Sequence, residues 1–290
     1  MRPDRRAARR AIVAASASGN HGTSMTPSST KKRFGIVGGN GWLGNAMADA
    51  ALASGFLDAS RLTLSARSAR RGAVAIPGAH WTRDNAELVA RSDVVVLSVR
   101  PDQFDGVAID ARGKLVVSVM AGVPAGRIAE RTGTALVIRT MPNAAATLRK
   151  SFTPWFAAPE VAAEDARLVQ RFLETFGDAA PVGREDHLDY CAGLTGSGAA
   201  FPALLAQAMI EDAVRRGLPP ELARRAAEGV VVNAARLLAG RDPRAIVDEL
   251  VAYRGTTAAA IEAMVQGGFV AAVHDGLAAA ARRSADMAKR

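Results

Sequence analysis

The stretch from Arg33 to Asn45, RFGIVGGNGWLGN, constrains the fold more than any other part of the chain. A short apolar run, Phe34–Val37, breaks into glycines at Gly38, Gly39, Gly41 and Gly44. Met47, Ala48, Ala51 and Leu52 then recur at helical spacing. Strand, tight turn and helix follow in that order. Gly39, Gly41 and Gly44 match G-x-G-x-x-G, the turn on which a dinucleotide pyrophosphate rests against a helix N-terminus. Gly39 is expected to permit the tight turn, Gly41 to admit the phosphate, and Gly44 to let the helix pack closely. The same glycines suit a purely structural turn, so the choice falls to the residues downstream.

After a helix over residues 45–54, Leu62–Ser65 reads as a second strand. At the end of that strand a dinucleotide fold meets the adenine ribose. A carboxylate there accepts from the 2′-hydroxyl of NAD, whereas an arginine accommodates the 2′-phosphate of NADP. This chain has Ser65, Arg67, Arg70 and Arg71 and no acid, which favours NADP(H) over a merely solvated basic loop. A helix over 85–91 precedes apolar strands over 93–99, 114–118 and 135–139. They end in Arg100-Pro101-Asp102-Gln103, Met120-Ala121-Gly122-Val123 and Thr140-Met141-Pro142-Asn143. Strands alternating with helices predict a Rossmann-like, doubly wound parallel α/β sheet. Ligands bind beyond the carboxyl ends of such strands, so these segments share one rim.

Charge weighs against nucleic acid. The chain carries +9, but residues 1–33 hold eight Arg and Lys against only Asp4, so the remainder is close to neutral. The first thirty residues, rich in Arg, Ala and Ser, lack the apolar segment of a secretory signal. They are read as a disordered extension with Met25 as a second start, or as a transit peptide; the first reading is preferred. No uninterrupted apolar run reaches the ~18 residues of a membrane span. Cys191 is the single cysteine, and the four histidines form no ligand spacing, so no metal is expected. A reducing, cytoplasmic setting fits.

With Asp84-Asn85, Ser118, Gly196-Ser197-Gly198 and Gly255-Thr256-Thr257 added, the order and spacing of these marks resemble the pyrroline-5-carboxylate reductase family over residues 33–288. The resemblance implies NAD(P)H-dependent reduction of a cyclic imine to proline. It places Gly39, Asn40, Gly41, Trp42, Leu43, Gly44, Ser65, Arg67, Asn85, Val99, Arg100, Pro101, Met120 and Ala121 around the cofactor. Asn143, Gly255, Thr256 and Thr257 fall on the substrate side, with Thr257 the best single residue for catalysis. Several positions depart from the family pattern. The glycine turn is one residue longer, and Trp42 is expected to pack on the sheet rim, or else to cap the cofactor. Arg100 replaces a lysine, and Ala144-Ala145 replaces Thr-Pro. Ala252-Tyr253-Arg254 stands where the family has Ser-Pro-Gly. These changes leave open a different imine or carbonyl substrate, or a catalytically silent NADP-binding protein.

Domain boundaries are expected at 1–30, 31–183 (cofactor) and 184–290 (helical). The first of these domains closes with a strand over Ser151–Ala157, a helix over 161–176 and a short strand over 180–182. The last is read as helices over 187–194, 199–216, 220–238, 243–251, 257–266 and 269–289. Several of them are apolar nearly all round, which requires burial. About a hundred residues offer too little interior for that, so the helices are expected to bury one another in a homodimer or larger homo-oligomer, as the resemblance also implies. Gly255-Thr256-Thr257 opens a helix with N–H groups and two hydroxyls that suit an anion. Thr256 or Thr257 also suits a helix N-cap.

Overall fold

In a computed structural model the chain is described over residues 29–67, 76–198 and 200–288. The readings made for residues 1–28, Arg70, Arg71 and Ala199 lie outside those residues. Eight strands form one sheet: β1 (Phe34–Val37), β2 (Leu62–Ser65), β3 (His80–Thr82), β4 (Val94–Leu97), β5 (Leu115–Ser118), β6 (Val137–Thr140), β7 (Ser151–Ala157) and β8 (Gly177–Pro181). Their order is β3-β2-β1-β4-β5-β6-β7-β8. The run Val94–Leu97 shows why apolar strands lie in the middle. Val94 and Val96 face a core with Phe34, Met47 and Phe172, while Val95 and Leu97 face a second core with Leu88 and Ile128. Both faces are therefore covered. Helices α1 (Trp42–Ala53) and α4 (Ala163–Glu174) supply the first cover, α2 (Asn85–Ala90) and α3 (Ala125–Thr132) the second.

The sheet differs from the expected parallel one at a single pairing. β6 and β7 run antiparallel, with Ile138 opposite Ala157 and Thr140 opposite Trp155. The link between them, residues 141–150, holds only a short 3-10 turn. That is too little chain for the dozen or more residues of a parallel crossover, so the chain doubles back. α4 then carries it over to β8, which pairs parallel to β7. Several boundaries also moved, two of them next to the sheet's connections. α1 starts at Trp42 rather than Asn45, because Gly41 already serves as its extended N-cap and its carbonyl accepts the Asn45 N–H. β8 starts at Gly177, three residues before the expected strand.

From Glu185 onward the chain is helical: α5 (Glu185–Cys191), α6 (Ala200–Arg215), α7 (Pro220–Glu228), α8 (Pro243–Ala252), α9 (Thr256–Gln266) and α10 (Phe269–Ala288). The expected long helix over 220–238 stops at Glu228 and continues as a π turn, Gly229–Asn233, and a 3-10 turn, Ala234–Leu238. Gly229 followed by three valines combines backbone freedom with restricted side chains, which weakens the regular helix there. α5 likewise passes into a π turn, Ala192–Gly196.

One buried cation ties α5 to the sheet. Arg139 on β6 is 1% exposed. Its Nη1 donates to Glu185 Oε1 at 2.6 Å and its Nη2 to Asp189 Oδ1 at 2.9 Å. Glu185 Oε1 also accepts the Ala125 N–H at the start of α3, at 2.7 Å. α10 packs back on α5 and on the π turn that follows it.

Candidate active site

The glycine turn is built from the backbone outward. Gly38 and Gly39 both donate their N–H groups to the Ser65 carbonyl, at 2.9 and 3.0 Å, and the Gly41 N–H closes back on the Gly38 carbonyl. The left-handed residue of the turn is Gly38, with φ +82. A Cβ there would lie 2.4 Å from the Ser98 carbonyl oxygen, so only glycine fits. Gly44 performs the close approach expected of it, since a Cβ would come within 2.7 Å of the Gly38 carbonyl oxygen. The first N–H groups of α1, from Trp42 to Gly44, have no acceptor within the helix, and they form the positive end of its dipole. Trp42 itself is 54% exposed. The helix starts at this residue and leaves it half exposed on the open first turn.

Next to the turn a cleft of about 230 Å³ opens at the carboxyl ends of the strands. Asn40, Ser65, Arg67, Asn85, Val99 and Arg100 all line it. Gly39, Gly41, Leu43 and Gly44 belong to the adjoining turn and helix start. Pro101 follows Arg100 as the first residue of a 3-10 turn, Pro101–Gly106. Met120 is buried just past β5, its N–H donating to Ser118 Oγ at 3.2 Å, with Ala121 after it. The Ser65 hydroxyl donates to Asn85 Oδ1 at 2.7 Å, joining the end of β2 to the start of α2. Asp84 caps that helix by accepting the Ala86 N–H at 2.8 Å. Gln103 reaches back to the arginines. In the amide orientation that satisfies both groups, its oxygen accepts from Arg67 Nη2 and Arg100 Nη2, each at 3.1 Å. No carboxylate lines the cleft among the described residues.

Arg83 also lines this cleft, and sequence reasoning passed over it. The signal was available in principle, since Arg83 immediately precedes Asp84-Asn85. It was hidden because β3 is only three residues long.

Around the residues expected on the substrate side the structure brings two segments together. Gly196 lies against Met141, close enough that an added Cβ would sit 3.5 Å from Met141 Cγ. Asn143 is held by its backbone N–H to Ser151 Oγ at 3.1 Å, and its Oδ1 accepts the Ala145 N–H at 2.9 Å. Gly255, Thr256 and Thr257 are different. They are exposed and do not line the cleft, and α9 packs on α8 and α10. The N-cap is Gly255, so neither threonine makes the capping hydrogen bond that was the alternative for them. Just before it, Arg254 adopts φ +50, in the left-handed region that favours glycine.

A family profile described as pyrroline-5-carboxylate reductase dimerisation matches residues 185–287, and one described as NADP oxidoreductase, coenzyme F420-dependent, matches residues 33–122. The pyrroline-5-carboxylate reductase of Pisum sativum is 31% identical over 86% of this chain and 94% of its own length. The chain belongs to the pyrroline-5-carboxylate reductase family. The reductase structure from Coxiella burnetii superposes with a TM-score of 0.80 at 27% identity, covering 90% of this chain and all of that one. A Plasmodium falciparum pyrroline carboxylate reductase crystallised with NADP shares the fold, with a TM-score of 0.77 at 20% identity over 90% of this chain and 99% of that one. Within this reductase family the exposed apolar faces of α6 to α10 fall in the segment matched by the dimerisation profile.

Proposed function

We propose that this chain is an NADPH-dependent reductase that converts 1-pyrroline-5-carboxylate to proline. Membership of the family carries this reading, and the carboxylate-free cleft at the end of β2 supports the choice of NADP. The cofactor, when bound, supplies the hydride. The residues of the chain bind and orient. The glycine turn and the first N–H groups of α1 receive the pyrophosphate. Arg67, aided by Ser65 and Asn85, takes the adenine ribose and its 2′-phosphate. Val99, Arg100, Pro101, Met120 and Ala121 line the path toward the nicotinamide. Asn143, Gly255, Thr256 and Thr257 hold the imine carboxylate. Thr257 supplies a hydroxyl near the ring nitrogen, whose proton comes from solution, from that hydroxyl or from a water. Rate then follows from proximity and water exclusion.

In this reading residues 31–183 carry the cofactor, while residues 184–290 complete the substrate side in a homodimer or larger homo-oligomer. The stretch Glu185–Arg215 is apolar and long enough to cross a membrane by length and composition. The dimerisation profile over the same residues favours a second copy as its cover. The single Cys191 fits a reducing cytoplasm.

The test is NADPH consumption with 1-pyrroline-5-carboxylate by the full chain. Turnover is expected. Tight NADPH binding without turnover overturns the substrate assignment. A second reading, reduction of another carboxylated imine, is favoured by exposed Tyr253 and by the left-handed Arg254 at the head of the Gly255 segment. A panel of five- and six-membered imines separates the two readings, and no activity on any of them points to a silent NADP-binding protein.

A further inference from the structure

We propose that Arg83 is a second guanidinium for the cofactor's 2′-phosphate, forming with Arg67 a two-armed phosphate-monoester site at the ends of β2 and β3; this rests on reading the cleft as an NADP site. The strands themselves bring the two arms together. Ser65 pairs with Thr82 in register, and the Ala66 N–H donates to the Thr82 carbonyl at 3.3 Å. Adjacent strands lie ~4.8 Å apart, so Arg67 and Arg83 leave the sheet from neighbouring chain ends. Both line the same cleft.

The acids nearest Arg83 in sequence are engaged elsewhere. Asp84 caps α2 through the Ala86 N–H. Glu87 accepts from His80 at 2.6 Å and from the Thr82 hydroxyl. Among the described residues Arg83 has no ion-pair or hydrogen-bond partner. Arg100, in contrast, pairs with Asp102 at 3.3 Å. Among the described residues, the charges without an ion-pair partner on this side of the cleft are thus Arg67 and Arg83, two cations facing a pocket that no described acid lines. A phosphate monoester carries about −1.5 to −2 at neutral pH, and guanidinium forks suit its oxygens. Gln103 acts beside them as a positioning residue, its amide oxygen holding Arg67 in place.

Calorimetric titration of the full chain with 2′,5′-ADP and with 5′-ADP tests this without any turnover. Wild type is expected to prefer 2′,5′-ADP. Arg83→Ala is expected to weaken 2′,5′-ADP by about tenfold, the loss of one charge-assisted contact, and to leave 5′-ADP unchanged. Arg83→Lys should recover part of the loss, and thermal melting of both variants should match wild type. If wild type discriminates and Arg83→Ala discriminates equally well, this proposal falls alone, and Arg83 is a solvated surface arginine. An equal loss for both nucleotides also overturns it, since Arg83 then serves the adenine or the ribose. If wild type binds both alike, the NADP reading falls and takes this proposal with it.

Discussion

At the scale of single residues, Arg67 is the residue proposed to carry the cofactor choice. It stands where a carboxylate would select NAD, and among the described residues its guanidinium meets the neutral amide of Gln103. Arg67→Asp is therefore expected to lower NADPH affinity at least tenfold while NADH affinity holds or rises. Fluorescence titration with both nucleotides reads the ratio, and an unchanged ratio removes Arg67 from the phosphate site. Arg139 poses a different problem, because its charge is buried and the carboxylates it meets are reached by solvent. Arg139→Met leaves Glu185 and Asp189 free to hydrate. Replacing both acids by alanine strands the guanidinium in the sheet and is expected to cost more, roughly 3–5 kcal/mol. Urea denaturation at a fixed protein concentration gives both values. At the amino ends of the central strands β1 and β4, the Arg33 guanidinium and N–H hold Asp93 down at about 2, against an ordinary 3.8. A depressed carboxylate stabilises the fold fully above its unfolded value and loses that contribution as pH falls through its folded one. Asp93→Asn should accordingly flatten the drop in melting temperature between pH 4 and pH 2.

At the scale of elements, the turn between β1 and α1 is the least tolerant piece. Gly44→Ala drives a methyl against the Gly38 carbonyl, a backbone atom that cannot swing away. The expected cost is about 1–3 kcal/mol in stability, with loss of NADPH binding, measurable by melting with and without the nucleotide. This element was legible in the chain, as were Leu62–Ser65 and Val94–Leu97, because apolar runs and glycine spacing report local geometry directly. Three things were not. The reversal of β7 depends on how little chain joins it to β6, and the residues of a strand do not encode its direction. β3 is too short for any periodicity, and Arg83 was lost with it. The break after Glu228 lies inside a pattern that continues at helical spacing, so propensity at Gly229 decided against periodicity. On the substrate side, the exposed position of Thr256 and Thr257 could not be read locally, since it depends on how α8, α9 and α10 stack.

At the scale of the whole molecule, the helical half displays apolar side chains that a lone chain leaves in water. Leu204 on α6 is 66% exposed, and Val232 in the π turn after α7 is 58% exposed. Such a surface calls for a cover, and a second copy supplies it in the proposed oligomer. Leu204→Glu is expected to shift the protein toward monomer in light scattering. It should spare NADPH binding, whose proposed residues lie in the sheet half, and abolish imine turnover, for which Gly255, Thr256 and Thr257 are proposed in the helical half. An oligomer of unchanged size with full turnover would take α6 out of the interface.

The Ser65 peptide has one more effect. Its carbonyl already holds the N–H groups of Gly38 and Gly39, and its hydroxyl already holds Asn85. The proposed nucleotide pocket is therefore shaped during folding, when the strand pairs, and would meet its ligand with little conformational freedom left to surrender. Affinity at this end then reports contact quality alone. Substitutions here should act through dissociation rather than through slow rearrangement before binding.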